Sequence, residues 1–306
     1  MVIKFIIDTE THVFKKFAYS RTNPGNPLVN PITWHEHSGD LFVQEMNVAG
    51  VDKAICASYD IDDVAWYLKF LLEDRWVGSG DYEGGAKYTY PFIKKYPDRL
   101  VWFDAINPLD ENCVEWIEDK VKIGLKGIKW LPAFYGKGSA VDGPQATKVF
   151  ETCMKLKLPV VLSFEEIMLN APYTPAQYLG QLKNLVDRFP NLKVGLYHAG
   201  FGLPNMLEKK TTIDLVKKYD NLCMSTALYW TENNEYPFHG YLAVIKELAQ
   251  QVGVEKLMWA TDWPWTEYLC KYSQMVMAVK KHATFLNENE KERFFSGTAK
   301  EFLNLK

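Results

Sequence analysis

The feature that most constrains the fold of this chain is a regular alternation of short apolar runs with longer stretches of helical spacing. Eight such pairs follow one another along the 306 residues, with no linker or low-complexity segment between them. Continuous apolar runs are typical of strands covered on both faces, and strand–helix alternation favours a parallel sheet. The pattern predicts a single (β/α)8 TIM barrel that forms one domain over residues 1–306.

The predicted strands are short and nearly free of polar residues except at their ends. The segment after the first strand is rich in Pro, Asn and Gly and is interpreted as a long loop. A doubly wound sheet is the structural alternative, but the Gly-x-Gly-x-x-Gly turn that it would need is missing from the sequence. The eight strands are predicted at Lys4–Asp8, Lys53–Ser58, Leu100–Ile106, Gly127–Leu131, Pro159–Ser163, the run from Leu192 to His198, Leu222–Ser225 and Lys256–Ala260.

Composition excludes several classes of function. The net charge is −3 and the basic residues are scattered, so we expect no nucleic-acid partner. No apolar run reaches the ~18 residues that a membrane helix needs, and the N-terminus lacks the pattern of a signal peptide. The five cysteines are dispersed and form no C-x-x-C pair, and their odd number in a large chain argues against a disulfide framework. We therefore expect a cytoplasmic protein.

Glu10 and His12 close the first apolar run. Residues i and i+2 of a strand point to the same side, so both side chains are expected to converge at the mouth of the barrel. A carboxylate and an imidazole on one side make half of a divalent-metal site. The alternative interpretation is a solvated strand end.

His198 and Asp262 end two later strands. A carboxylate after a fully apolar strand is costly to bury unless a positive group meets it, and a metal ion or a protonated His198 would do so. Taken alone, His198 could be a structural residue and Asp262 a helix cap. Together with Glu10 and His12 they predict an active site at the C-terminal ends of the strands.

Five short motifs follow one another along the whole length of the chain. They are Ile7-Asp8-Thr9-Glu10-Thr11-His12, Gly127-Ile128-Lys129, Arg188-Phe189-Pro190-Asn191-Leu192-Lys193 with His198-Ala199-Gly200, Thr261-Asp262-Trp263-Pro264 and Gly297-Thr298-Ala299. In this order they resemble the amidohydrolase-related family, the branch that includes aminocarboxymuconate semialdehyde decarboxylase and the aromatic acid decarboxylases. The resemblance implies a barrel of the metal-dependent hydrolase type, a small carboxylic acid as substrate and a homo-oligomer.

Two departures from the family pattern bear on the reaction. Glu10 stands where many members have His, and members with Glu-x-His resemble the decarboxylases of hydroxylated benzoates. Ser163 stands where metal-dependent members have a strand-end His ligand, and a hydroxyl is a poor ligand for a transition metal. Glu165 shares the strand parity of Ser163 and is the candidate to replace it. The lactonase-like members work without metal.

The resemblance implies roles for individual residues. Glu10, His12, Asp262 and Glu165 would hold one Zn²⁺ or Mn²⁺. Asp262 would protonate the carbon that loses CO2, and His198 would hold or polarise the substrate. Further substrate contacts are expected from Arg21, Lys129, Ser163 and Trp263.

Three functions stay open from the sequence. The first is a metal-dependent decarboxylase of a small aromatic or conjugated acid. The second is a hydrolase of a lactone, an amide or another cyclic or ester substrate, with or without metal, in which Asp262 acts as base. The third is a non-catalytic barrel, which only Ser163 favours. His35-Glu36-His37 is interpreted as a solvated stretch rather than a metal motif.

Overall fold

The structure is a computed structural model that describes residues 3–23, 26–34, 36–59, 81–132, 140–164, 173–200, 208–227 and 235–305. Eight strands form one sheet in which each strand is parallel to its sequence neighbour in the sheet. They are β1 (Ile7–Thr11), β4 (Lys53–Ser58), β6 (Leu100–Ala105), β7 (Gly127–Trp130), β8 (Val160–Leu162), β9 (Val194–Leu196), β10 (Leu222–Ser225) and β11 (Leu257–Met258).

Hydrogen bonds between the last and the first strand close the sheet into a barrel. The Thr9 amide donates to the Trp259 carbonyl at 3.1 Å, and the Asp262 amide donates to the Glu10 carbonyl at 2.8 Å. The predicted TIM barrel is confirmed. β1 begins at Ile7 rather than Lys4 and ends at Thr11, because its polar end is still paired with the neighbouring strands.

Helices connect the barrel strands and cover the sheet. Local signals mark their ends: Ser38 accepts from the Leu41 amide at the start of the first helix, and Thr174 forms a capping box with Gln177. Among the described residues, no helix is long and apolar enough to cross a membrane. The α-helices are α1 (Gly39–Ala49), α2 (Gly85–Lys95), α3 (Cys113–Lys122), α4 (Pro144–Leu156), α5 (Pro175–Arg188), α6 (Lys209–Lys218), α7 (His239–Val252), α8 (Tyr272–Met277), α9 (Glu288–Glu292) and α10 (Thr298–Phe302).

The segment after β1 is not the loop that its composition suggested. It forms an antiparallel hairpin of β2 (Lys16–Asn23) and β3 (Asn26–Trp34), to which β5 (Asp81–Glu83) adds a third strand. Pro27 and Pro31 lie in β3, which is an edge strand, where prolines are tolerated. Pro24 and Gly25, which were interpreted as part of this loop, lie outside the described residues.

Apolar side chains fill the barrel interior at the end where the strands begin. Phe302 of α10 belongs to the cluster that includes Ile7, Phe103 and Val161, at the end from which the strands start. The backbone must come close here: a Cβ on Gly195 would lie 3.2 Å from the Phe302 ring, and one on Gly127 would lie 2.2 Å from the Phe103 ring. Because this end of the barrel is packed, polar residues that face inward can gather only near the C-terminal ends of the strands.

Candidate active site

An irregularity in β1 determines which face of the sheet each of its polar side chains points to. The pairing of β1 with β4 shifts register between Asp8 and Thr11, as expected for a β-bulge. Asp8 therefore points outward, where Tyr272 of α8 donates to it at 3.0 Å. Glu10, two residues later, points inward. The bulge thus places the Asp8 and Glu10 carboxylates on opposite faces of the sheet.

Glu10, His12 and Asp262 come together in the mouth of the barrel. Each offers one ligand atom within 4.8 Å of the others, and all three residues are buried. Nε2 of His12 lies 3.1 Å from Oδ1 of Asp262. Nδ1 of His12 lies 2.8 Å from the Ala57 carbonyl and must be the donor there, so in the neutral ring the lone pair of Nε2 faces the cluster. This donor set can hold a divalent cation.

Three further side chains surround the Glu10 carboxylate, and the Nε2 of His198 is a donor among them when its ring is protonated. Lys129 Nζ lies 3.3 Å from Oε1, His198 Nε2 lies 3.4 Å from the same oxygen, and Ser225 Oγ donates to Oε2 at 3.1 Å. These contacts offset the cost of burying a carboxylate. Ser225 was missed in the sequence, although it ends a predicted strand in the same way as the other site residues.

His198 lies in a turn of unusual backbone conformation. Tyr197–Ala199 form one 3-10 turn after β9, and His198, Ala199 and Gly200 have φ values of 53°, 55° and 97°. Nδ1 of His198 lies 2.8 Å from the Ala227 carbonyl. The turn and this hydrogen bond together direct Nε2 towards Glu10. A left-handed conformation costs ~1–2 kcal/mol for a residue with a Cβ, so the turn stores strain beside the site.

Gly200→Ala is expected to destabilise the protein by more than ~1 kcal/mol, because a Cβ there meets both a positive φ and a methyl group of Thr212 at 2.9 Å. Ala199→Gly is the matched change in the same turn. It relieves a positive φ and should leave stability unchanged or raise it by up to ~1 kcal/mol. Urea unfolding of both variants measures the difference. Equal losses in the two variants would contradict the strain assigned to this turn.

Lys129 and Tyr59 form a pair beside the three candidate ligands. Lys129 Nζ donates to the Tyr59 hydroxyl at 2.5 Å and lies 5.0 Å from the centre of the Tyr59 ring. The same ammonium lies 4.9 Å from the ring centre of Tyr197. The Tyr59 oxygen is 3.2 Å from Nε2 of His12. Tyr59 was missed in the sequence, although it directly follows the predicted second strand, because no motif marks it.

Asp262 occupies a sharp turn after β11. Its φ is 57°, and its amide is bonded to the Glu10 carbonyl, so the backbone brings the two carboxylate residues side by side. Trp263 is fully buried and stacks on Phe42 of α1 at 4.5 Å between ring centres. The indole therefore belongs to the core between the barrel and α1, which differs from the substrate-binding position expected from the sequence.

His37 is buried, and its interpretation as part of a solvated stretch was wrong. Its Nε2 lies 2.8 Å from Glu267, and the same carboxylate accepts from the Trp263 indole at 2.6 Å. The backbone of His37 is bridged to Phe14. These long-range contacts connect the segment before α1 to the turn that carries Asp262. A local sequence pattern does not predict them. His35 lies outside the described residues.

Burial raises the pKa of Asp8 from its ordinary value of 3.8 to about 7. Hydrogen bonds from Thr261, from the Glu10 amide and from Tyr272 act in the opposite direction but do not offset the loss of hydration. Asp8 therefore binds a proton more tightly in the folded chain than in the unfolded one. Its contribution to stability is fully present below pH 3.8 and is lost as the pH rises towards 7.

We expect the free energy of unfolding of metal-free protein to fall by about 4 kcal/mol between pH 4 and 7 through Asp8 alone. Asp8→Asn should lack this part of the pH dependence, because the amide does not titrate. Urea unfolding in the presence of a chelator, at several pH values, gives both curves. Parallel curves for the wild type and the variant would contradict the assignment.

The other residues predicted for the site are placed as follows. Ser163 is fully buried and directly follows β8, and alternation from the inward Val161 points it into the barrel. Arg21 lies in β2, opposite Asn30 of β3, rather than in a loop. Glu165 lies outside the described residues.

A closed parallel barrel with buried carboxylates and imidazoles at the C-terminal ends of its strands defines an enzyme of the TIM-barrel class. The sequence profile of the amidohydrolase family matches residues 83–305, and the chain belongs to this family. The match includes Lys129, Ser163, His198 and Asp262, whereas Glu10 and His12 precede it. No curated protein matches the chain significantly.

Solved structures resemble the fold over nearly the whole chain. A probable 2-pyrone-4,6-dicarboxylic acid hydrolase from Acinetobacter baumannii, with citric acid bound, is 15% identical with a TM-score of 0.67 and covers 99% of this chain and 100% of its own. An amidohydrolase from Burkholderia multivorans with bound zinc is 12% identical with a TM-score of 0.65 and covers 99% and 100%.

A third solved structure contains manganese. It is 5-carboxyvanillate decarboxylase from Novosphingobium aromaticivorans, complexed with manganese and 4-hydroxy-3-methoxy-5-nitrobenzoic acid. It is 17% identical with a TM-score of 0.55, and the match covers 87% of this chain and 80% of its own. At these identities the three likenesses establish the shared fold.

Proposed function

We propose that the protein is a divalent-metal-dependent decarboxylase of a small aromatic or conjugated carboxylic acid. The observation that carries the proposal is the buried cluster of Glu10, His12 and Asp262. The Glu-x-His order supports decarboxylation, because it resembles the decarboxylases of hydroxylated benzoates. The manganese-containing decarboxylase among the structural neighbours supports the same reaction on this fold.

The three residues fit a metal ion. Their donor atoms lie within 4.8 Å of one another, the imidazole is oriented by Ala57, and three protein ligands are typical of catalytic metal sites. Two carboxylates and one imidazole suit Mn²⁺ as well as Zn²⁺. When bound, the ion would supply a positive charge that holds the substrate carboxylate and withdraws electrons from the reacting carbon. Glu165 would be a further ligand.

Asp262 and His198 would act on the substrate. The bond between the ring carbon and the carboxylate breaks, its electron pair stays on the ring carbon, and CO2 leaves. Asp262 in its protonated form delivers the proton that forms the new C–H bond. His198 faces the Glu10 carboxylate with Nε2, and because Nδ1 donates to the Ala227 carbonyl, Nε2 can donate to a substrate oxygen when the ring is protonated.

Further contacts would fix the acid in the site. We propose Arg21 as a partner for a carboxylate, since a guanidinium can bind its two oxygens at once. Ser163 would add a hydroxyl from the inward face of the barrel. We also expect the enzyme to be a homo-oligomer, in line with its resemblance to the family.

The test is CO2 release from a panel of hydroxybenzoates by protein loaded with Mn²⁺ or Zn²⁺. We expect turnover of at least one member, and none by protein loaded in the presence of excess chelator. Asp187→Asn, a surface change far from the cluster, is the matched control and should behave as the wild type. Absence of CO2 release by the metal-loaded protein from every member would contradict the proposal.

Lactone hydrolysis is the second candidate, and the resemblance to a probable pyrone dicarboxylic acid hydrolase favours it. In this reaction Asp262 would accept a proton from the attacking water, and protonated His198 would donate from Nε2 to the oxygen of the opening ring. A panel of lactones, assayed for acid release with and without chelator, separates this reaction from decarboxylation.

A further inference from the structure

Tyr59 places a phenol among the candidate ligands. It directly follows β4, and its ring centre lies 4.8 Å from that of His12. Its oxygen is 3.2 Å from His12 Nε2 and 2.5 Å from Lys129 Nζ. The phenol therefore stands between the ammonium and the imidazole nitrogen that would bind the metal.

The direction of the phenol proton follows from its two neighbours. An ammonium can only donate, so the Tyr59 oxygen accepts from Lys129 and its single proton points elsewhere. His12 Nδ1 donates to Ala57, which leaves Nε2 as the acceptor for this proton in the neutral ring. A metal ion on Nε2 would use the same lone pair. An oxygen that binds beside His12 could then accept the phenol proton in place of Nε2.

Tyr59 and Lys129 differ in how far their side chains are buried. Lys129 is 1% exposed and contacts the fully buried Glu10, whereas Tyr59 is partly exposed. The ammonium also lies close to the rings of Tyr59 and Tyr197, as in cation–π contacts. Part of Tyr59 is therefore exposed beside the cluster, while the ammonium is covered by side chains.

We propose that Tyr59 is a catalytic residue that donates a hydrogen bond to a carboxylate oxygen of the substrate, and that Lys129 is a positioning residue that acts through it. The positive charge of Lys129 polarises the phenol and strengthens its O–H as a donor. The inference rests on the proposed function, because it needs a carboxylic acid to bind beside His12. It replaces the direct substrate contact that the sequence predicted for Lys129.

The test measures binding rather than turnover. Wild type, Tyr59→Phe, Lys129→Met and the double variant are loaded with Mn²⁺, whose affinity is measured by electron paramagnetic resonance. Binding of 4-hydroxy-3-methoxy-5-nitrobenzoic acid is then measured by calorimetry. Tyr88→Phe is the matched control, because it removes a phenol hydroxyl that donates to Glu36 outside the cluster.

Tyr59→Phe is expected to keep its affinity for Mn²⁺ and to bind the acid ~10-fold more weakly or worse, as is typical when a hydrogen bond to a charged group is lost. Tyr88→Phe should match the wild type. Lys129→Met should also bind the acid more weakly, and the double variant should bind it no more weakly than Tyr59→Phe. A purely structural Lys129 would instead add its effect to that of Tyr59.

Three results would overturn the inference. Unchanged acid binding by Tyr59→Phe would show that the phenol makes no substrate contact. Loss of Mn²⁺ from Tyr59→Phe would make Tyr59 a metal ligand instead. A wild type that binds Mn²⁺ but not the acid would count against the proposed function itself. If Lys129→Met fails to fold, Tyr59→Phe alone decides the role of the phenol.

Discussion

Asp262→Asn is expected to lower turnover by roughly 10³-fold, which is within the range for loss of a general acid. The amide cannot deliver the proton to the carbon that loses CO2, and it is a weaker metal ligand than a carboxylate. The fold should survive, because Asn tolerates the left-handed conformation that this position has, with φ of 57°. The rate of CO2 release, on a substrate that the wild type accepts, measures the effect.

Circular dichroism and metal content show whether this loss of turnover is chemical. A folded Asp262→Asn protein without activity, even at saturating Mn²⁺, supports the role as acid. The surface variant Asp187→Asn is the control for a carboxylate-to-amide change. Retention of more than ~10% of wild-type turnover by Asp262→Asn would contradict a general-acid role, since such a group contributes 10²–10⁴-fold.

Glu10→Gln is expected to destabilise metal-free protein by about 3 kcal/mol, as is typical when one partner of a buried ion pair is removed. Lys129 Nζ lies 3.3 Å from Glu10 Oε1, and both residues are at most 1% exposed. The amide leaves the ammonium buried without its carboxylate partner. Urea unfolding in the presence of a chelator measures the loss.

Lys129→Met supplies the matched half of a double-mutant cycle. Removing both charges should cost less than the sum of the two single changes, because neither charge is then left unpaired. The pair Lys183 and Asp187 on the exposed face of α5 is the control cycle, and its coupling should be small. Additive effects of Glu10→Gln and Lys129→Met would contradict the ion pair.

The barrel could be predicted from the sequence because its determinants are local. Each strand is a short apolar run, and each helix has its own spacing and capping residues, such as Thr174 before α5. The position of a residue at a strand end also predicts its place in the barrel mouth. Glu10, His12 and Asp262 were found by this rule.

Features that depend on distant contacts could not be predicted in this way. The hairpin of β2 and β3 is held by cross-strand pairing, which overrides a composition typical of loops. His37 is buried through its contact with Glu267, 230 residues away. Tyr59 contacts Lys129 of β7 and His12, which directly follows β1. In each case the role of a residue depends on contacts with residues that are distant in sequence, which a local sequence pattern does not indicate.

The bulge in β1 shows how a small irregularity changes the site. Strict alternation would place Asp8 and Glu10 on the same face. The register shift instead turns Asp8 towards Thr261 and Tyr272, where it holds the strand that leads to Asp262. Sequence periodicity has no signal for one extra residue, so the separation of these carboxylates could be seen only in the structure.

The most direct test of the central claim is the metal content of the purified protein. Elemental analysis of wild type prepared without chelator is compared with that of a Glu10→Ala/Asp262→Ala double variant. We expect about one equivalent of Zn or Mn in the wild type and none in the variant, since the variant keeps only His12 of the buried cluster of Glu10, His12 and Asp262. Absence of metal from the wild type, even after incubation with Mn²⁺ or Zn²⁺, would contradict a metal-dependent decarboxylase.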